Sequence, residues 1–273
     1  MRLGLEAGPD TLDLAVELGI QGVPVAGADL VKQGVDATLR PLASRGLQPC
    51  QIGAFGFNPL SSDKEAVGRE NDALRRTLEL APEVGCSYVV IGPGNHHPSG
   101  FGHYDPRNFE TAAIAQMAEA LKPFVDFAEA KGVKLAIEPY LKGVIHSVET
   151  FLALKRELPS DALRANVDPS SLYDFHQALH PAETVEKVCS GLAGHYGLVH
   201  LKEIGVEKGF HLKMGLTPIG DGHTDWAMLL GLVAAHVPGD SWVILEHCLS
   251  AEEARQNRAR ILDAADQAGV TLR

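Results

Sequence analysis

The sequence has no run of 18 consecutive apolar residues, no CxxC pair, no concentrated block of lysine and arginine, and no tract of low complexity. Each absence removes a class of protein. Without the apolar run, no helix is expected to span a bilayer, and no membrane partner is expected. The four cysteines (Cys50, Cys86, Cys189 and Cys248) lie far apart in the chain and read as small buried hydrophobes in a reducing compartment. The formal net charge of -11 opposes binding to a polyanion unless a local basic groove intervenes, so nucleic acid is not an expected partner. The first residues, MRLGLEAGPDTLDLAVELG, carry a charge at position 2 and lack the apolar core of a secretory signal. A soluble, cytoplasmic protein is therefore expected.

What is present is ordinary globular material. Apolar residues make up 45% of the 273 and charged residues 22%, which suits one large α/β domain over residues 1–273. One punctuation mark recurs: a helical pattern ends at a glycine, and a short apolar run follows. It occurs in ELGIQGVPV, SRGLQPCQIGAF, EVGCSYVVIG and AKGVKLAIEP. Glycine just past a helix end adopts the left-handed conformation without a Cβ penalty, so each marks a helix stop. The runs that follow do not alternate, as expected of strands buried on both faces.

Eight such runs are found, near residues 2–6, 21–25, 48–54, 87–92, 133–138, 164–168, 196–201 and 241–246. Helical stretches separate them. Ser62 with Glu65, and Ser250 with Glu253, stand in capping-box register at two of the helix starts. Pro123 predicts a kink or a split in the long segment 107–131. Eight strand-helix alternations at this length point to a single (β/α)8 TIM barrel. The rival, a doubly wound open sheet, lacks its Gly-rich phosphate fingerprint after the first strand.

In that fold the reacting groups stand at the C-terminal ends of the strands. The fifth strand ends in Glu138 (LAIEP), the sixth in Asp168 (ANVDP), the seventh in His200 (LVHLKE) and the eighth in Glu246 (VILEH). A lone charged residue at a strand end is as readily a solvated loop residue or a helix cap. Three carboxylates buried together, however, would be very costly without a cation. Three oxygen donors and one imidazole suit Mn²⁺, Mg²⁺ or Co²⁺, with Zn²⁺ also compatible.

Several neighbours could line a pocket. Asn95, His96 and His97 lie in the long loop GPGNHHPSGFGHYD, which is either a binding loop or an exposed mobile one. His146 follows the fifth strand. Lys202 and Glu203 follow His200, and Lys202 would hold either a substrate oxyanion or a carboxylate. Tyr173, Asp174 and His176 follow Asp168. The stretch IGDGHTDW matches neither phosphate-loop pattern. Its glycines are expected to shape a loop over the substrate, with Trp226 buried and with Asp221 and His223 as outlying ligand candidates.

Taken together, IEP, NVDPSSL, HLKE, IGDGHTDW and LEH, in this order, resemble the xylose isomerase-like sugar phosphate isomerase/epimerase superfamily over essentially the whole chain. The resemblance implies Glu138, Asp168, His200 and Glu246 as ligands of one catalytic divalent metal. It also implies a small carbohydrate substrate, and Glu138 and Glu246 as the acid-base pair. The chemistry implied is proton abstraction beside a carbonyl through a stabilised ene-diolate. Lys202, His146, Asn95, His96 and Ser171 are then the substrate-contacting candidates. Barrels of this type are often dimers or tetramers, so a homo-oligomer is expected.

The pattern also departs from its relatives. Ser171 stands where many members carry a histidine three residues after the strand-six aspartate, and His176 is the nearest stand-in. Val144 and Val206 replace a glutamate and an arginine of the ketose 3-epimerase branch. Free-ketose 3-epimerase activity is thereby disfavoured, and a lyase or dehydratase acting on an oxidised sugar or cyclitol becomes the alternative. A non-catalytic sugar-binding barrel is the third reading. The superfamily's DNA-repair endonuclease needs further histidines on strands three and four, where this chain has QIGAF and VIGPG.

Overall fold

The computed structural model describes the backbone of residues 1–273 and every side chain except that of Pro9. Eight parallel strands close into a barrel: β1 (Arg2–Leu5), β2 (Gly22–Ala26), β3 (Gln48–Gly53), β4 (Tyr88–Ile91), β5 (Lys134–Ile137), β6 (Leu163–Val167), β7 (Tyr196–Leu201) and β10 (Trp242–Leu245). Around the ring they run β1-β10-β7-β6-β5-β4-β3-β2. Each of the eight expected runs is one of these strands. Every residue of β4, β7 and β10 is buried, which accounts for the unbroken apolar sequences of β4 and β10; β7 is interrupted by His200. The helices are α1 (Thr11–Glu17), α2 (Gly27–Gln33), α3 (Val35–Ala43), α4 (Lys64–Val84), α5 (Ala113–Lys131), α6 (Val148–Glu157), α7 (Phe175–Leu179), α8 (Ala182–Gly191), α9 (Trp226–Ala234) and α10 (Ala251–Gln267). The glycine stops hold: Gly19, Gly46, Gly85 and Gly132 take φ of 66, 71, 72 and 68°.

Three sequence expectations need correction. The cap of α4 is Asp63, not Ser62; the Asp63 carboxylate accepts from the Ala66 amide at 3.0 Å, so the helix starts one residue later. Pro123 does not split its segment, and α5 runs through it as one helix. Pro123 lies on the exposed face, where the carbonyl left without a donor can turn to water. The apolar stripe of Met117, Leu121, Phe124, Val125 and Ala128 is buried on the opposite side. Lastly, an antiparallel hairpin, β8 (Glu203–Val206) with β9 (Met214–Thr217), follows β7 and was not anticipated. Its strands are short and mostly half-exposed, so they leave no apolar run to read. Half of the capping box expected at α10 forms: Ser250 accepts from the Glu253 amide at 3.1 Å, while the Glu253 carboxylate accepts from the Leu249 amide at 3.3 Å rather than from that of Ser250.

The chain forms two compact units, one of Pro24–Pro41 with Gln51–Asn166, the other of Met1–Val23 with Leu42–Cys50 and Val167–Arg273. In the first, α4 packs on α2 and α5, and α5 packs on α6. In the second, β1 pairs with β10 from Arg2↔Trp242 to Leu5↔Leu245, and Cys50, Trp242 and Ile244 form a buried cluster. The Arg2 guanidinium lies 3.7 Å from the Trp242 ring centre. Gly22 makes room for that indole, since a Cβ there would fall 2.4 Å from Trp242 Cζ3. The indole is a rigid neighbour in a packed core, so Gly22→Ala is expected to destabilise the fold by about 1–3 kcal/mol. A melting temperature equal to that of the parent chain would contradict this packing.

The four cysteines are buried, and among the described residues none is in a disulfide. Burial pushes the Cys189 thiol up to about 12 and the Cys248 thiol up to about 11, which keeps both protonated and unreactive.

Candidate metal centre

Strand ends place the ligand candidates. Glu138 is the residue after β5, Asp168 the residue after β6, His200 the penultimate residue of β7, and Glu246 the residue after β10. Their relative exposures are 2, 2, 1 and 8%, so all four are buried. Each offers a donor atom, and these atoms lie within 4.8 Å of one another.

Local bonds set the orientation of each group. The Glu138 amide donates to the Ile91 carbonyl at 3.0 Å, and Asn166 Nδ2 donates to Glu138 Oε2 at 3.2 Å. Asp168 caps a short 3-10 turn, Pro169–Leu172. Its Oδ1 accepts from the Ser170 amide at 2.9 Å and the Ser170 hydroxyl at 2.6 Å, and its Oδ2 accepts from the Ser171 hydroxyl at 3.3 Å. Ser171, at the position where the family resemblance led to the expectation of a histidine, thus supports the candidate ligand Asp168. His200 Nδ1 lies 3.2 Å from Glu246 Oε1. Lys202 Nζ lies 2.7 Å from Asp168 Oδ2 and 3.1 Å from Glu246 Oε2. Lys202 thus meets carboxylates, one of the two kinds of partner expected for it. Burial alone would push the Glu246 carboxyl up, but His200 and Lys202 outweigh it and hold the group well below the usual carboxylate range.

Two residues near Glu246 escaped the sequence reading. Glu6 follows β1, and His247 is the next residue after Glu246; with Glu246 they offer a second set of donor atoms within 4.8 Å of one another. His247 Nε2 is 3.6 Å from Glu246 Oε2, and the His247 amide donates to Glu6 Oε2 at 3.4 Å. Among the described residues His247 is the one non-glycine with positive φ, 56°. The signal for Glu6 was present, since it follows RLGL as Glu138 follows KLAI.

Glu203 and IGDGHTDW are joined by a tight set of bonds. Glu203 accepts from Trp226 Nε1 at 2.6 Å, the Thr224 hydroxyl at 2.7 Å and the Gly220 amide at 3.2 Å. A Cβ on Gly222 would fall 2.5 Å from Glu203 Oε1, so this glycine is required for the loop to close over the carboxylate. Burial raises the Glu203 carboxyl above its ordinary value, against those hydrogen bonds. The hydroxyl of Tyr173, itself raised by burial, reaches Thr224 at 3.4 Å.

The remaining candidates lie elsewhere. Asp221 pairs with Arg260 at 2.7 Å, and neither Asp221 nor His223 belongs to a ligand group among the described residues. His176 is exposed, with its ring 5.0 Å from that of His180, so it does not stand in for the missing histidine. Asn95 is buried; its carboxamide donates to the His103 carbonyl at 2.6 Å and accepts from the His97 amide at 2.8 Å and Asn108 Nδ2 at 3.0 Å. The loop that carries it therefore has an internal framework. His96, lowered by burial and then by Arg107, is half-buried in that loop. His146 Nδ1 faces the Val144 and Gly143 carbonyls at 3.0 and 3.2 Å. Two acceptors there require Nδ1 to carry the proton.

The family model described as xylose isomerase-like TIM barrel matches residues 12–271, and the chain belongs to that family. A search of curated protein sequences gave no match. Among solved structures, the chain is similar to a xylose isomerase-like TIM barrel protein from Mycobacterium smegmatis in complex with magnesium (19% identity, 98% of this chain and 97% of that one, TM-score 0.75). It is also similar to a D-psicose 3-epimerase in the presence of D-fructose (12%, 98% and 100%, 0.69). A third is a probable 3-DHS dehydratase from Bacillus anthracis (15%, 96% and 98%, 0.69). At these identities the likeness is one of fold. Among the described residues, no helix is long and apolar enough to cross a membrane.

Proposed function

We propose that this chain is a divalent-metal-dependent sugar isomerase or epimerase that moves a proton beside a carbonyl. The observation that carries the reading is the buried quartet Glu138, Asp168, His200 and Glu246, with donor atoms within 4.8 Å of one another. The charges fit a dication. With His200 in the neutral form that a metal ligand requires, three carboxylates and the Lys202 ammonium leave two negative charges, and buried charge of one sign is costly until it is balanced. Mn²⁺, Mg²⁺ or Co²⁺ suits such oxygen-rich donors, and Zn²⁺ is compatible. When bound, the cation would stabilise the negative charge that develops on substrate oxygens as a C–H proton leaves.

The chain's own groups divide the remaining work. Ser170, Ser171 and Lys202 tie down Asp168, which makes it a positioning ligand. Glu246, the most exposed of the four, and Glu138 are the proposed acid-base pair, one removing the proton and the other returning it. Lys202, beside Glu246, keeps that carboxylate ionised, as a base must be.

The lyase alternative has its own support. Val144, at the place of the branch glutamate, is fully buried and offers the substrate no polar grip. A dehydratase on an oxidised sugar or cyclitol begins with the same proton abstraction.

Metal analysis followed by solvent deuterium incorporation across ketoses, inososes and 3-keto sugars tests both readings. Deuterium at carbon with the mass otherwise retained supports isomerisation or epimerisation, and loss of water or an alcohol supports the lyase. The ligand set has a separate test in stability. A cation at 100 times its dissociation constant should stabilise the fold by about 2.7 kcal/mol, with chelator reversing the gain and His200→Ala largely abolishing it. A melting temperature indifferent to every divalent ion would remove the metal centre.

A further inference from the structure

A pocket of about 170 Å3 lies in the loops that follow β3 and β4, and the proposed reaction does not account for it. Its walls are Phe55, Phe57 and Phe101 with the backbone of Gly92, Pro93 and Gly94, and Asn58 also lines it. A cavity of roughly 150 Å3 is enough for a benzene ring.

The walls are built for a flat guest. The Phe101 ring stacks on Tyr140 at 5.1 Å and lies 6.2 Å from Phe55. Gly92 permits this, because a Cβ there would fall 2.9 Å from the Phe101 ring. Phe101 remains 41% exposed although one face is stacked against another ring. Asn58 supplies the polar element. Its Oδ1 accepts from the Asn95 amide at 2.9 Å, which fixes the orientation of the carboxamide. Nδ2 is then left with no partner and closed to solvent, so a guest oxygen would reach this donor once the Asn58 side chain swings toward the pocket. None of the residues lining the pocket is titratable, so a phosphate or carboxylate placed there would meet no countercharge.

The pocket's loops are seated against the stretch of chain that follows Glu138. Tyr140, two residues on, carries the stacked ring. The Val144 amide donates to the Gly94 carbonyl at 2.9 Å, and the Ile145 amide donates to the Pro93 carbonyl at 3.0 Å. A Cβ on Gly143 would fall 2.3 Å from Pro93 Cγ, so the two loops are closely seated.

We propose that this pocket is a subsite for an uncharged six-membered ring that the substrate carries next to its reacting sugar unit. The inference rests on the proposed function and deepens it: the substrate is a glycoside or oligosaccharide derivative rather than a free or phosphorylated monosaccharide. A ring face would lie on Phe101, and a ring or hydroxyl oxygen would accept from Asn58 Nδ2.

The test is calorimetric binding to the full-length protein, with its bound metal as purified, of four probes: phenyl β-D-glucopyranoside, cellobiose, methyl β-D-glucopyranoside and glucose 6-phosphate. At least one of the two ring-bearing probes should bind about tenfold more tightly than the methyl glucoside, and glucose 6-phosphate should bind no better than the methyl glucoside. Preference for the phenyl probe identifies an aryl guest, and preference for cellobiose a sugar. Phe101→Ala should bring the preference to within about twofold, and so should Asn58→Asp, which keeps the acceptor for Asn95 and removes the donors. Phe101→Leu serves if the alanine variant melts early. Glu246→Gln should retain the ring preference whatever it does to turnover, so a failed reaction and a failed subsite give different results. Equal binding of ring-bearing and methyl probes, no saturable binding of either ring-bearing probe, or a preference that survives both substitutions would overturn the proposal.

Discussion

Replacing Glu246 with glutamine is expected to lower solvent proton exchange into substrate by about 10²–10⁴-fold, the usual contribution of a positioned acid or base. Glutamine keeps the size of the side chain and an oxygen that can face His200 Nδ1, so the packing around β10 is preserved. What it loses is the charge. Lys202 retains Asp168 at 2.7 Å, so no ammonium is left unpaired by the change. The variant should therefore melt close to the parent protein while its chemistry is lost. Undiminished deuterium incorporation in the glutamine variant would exclude Glu246 from proton transfer. The natural assay is incorporation on the best substrate of the panel, with the metal content measured alongside, because Glu246 is also a proposed ligand.

The largest effect on stability is expected at Glu203. Its carboxylate receives Trp226 Nε1, the Thr224 hydroxyl and the Gly220 amide, and it is 1% exposed. Glu203→Ala leaves the buried indole N–H without an acceptor and opens a space beside it, at a cost of about 2–4 kcal/mol. Glu203→Gln should recover most of this loss. The amide oxygen can serve Trp226 and Gly220, and the amide nitrogen can donate to Thr224. The pair of variants thus separates the hydrogen bonds from the charge. A fall in melting temperature as large for glutamine as for alanine would show that the charge, not the acceptor geometry, holds the loop.

A pH dependence follows from the same group. Burial raises the Glu203 carboxyl, so in this region the folded state takes up a proton more readily than the unfolded chain. Its contribution to stability is full below the ordinary glutamate value and is lost as pH rises through the elevated one. The difference in stability between the parent and Glu203→Gln should shift in favour of the glutamine variant across that window, moving upward in pH.

The barrel was legible because its strands are covered on both sides. KLAIEP and VILEHC carry unbroken apolar runs, and the glycines at 19, 46, 85 and 132 sit where only a residue without Cβ turns cheaply. The same rule located Glu138, Asp168 and Glu246, since each is the first polar residue after a run. Glu6, the first polar residue after RLGL, occupies the corresponding place after β1. The hairpin after β7 left no trace, because strands that are largely half-exposed need not be apolar. Pro123 did not break its helix, because the cost of a proline depends on whether its side of the helix faces water, which spacing does not reveal.

The sequence by itself determined the alternation of strands and helices, the family pattern and the identity of the four ligand candidates. These depend on short-range periodicity and on residue type, both of which can be read along the chain. Only the tertiary structure decided the rest: that Lys202 meets two carboxylates, that Ser171 supports Asp168, that Glu203 holds a loop 17 to 23 residues further on, and that Asn58 faces a ring-lined pocket. Such pairings depend on side-chain directions at contacts distant in sequence, and nothing in local pattern encodes them.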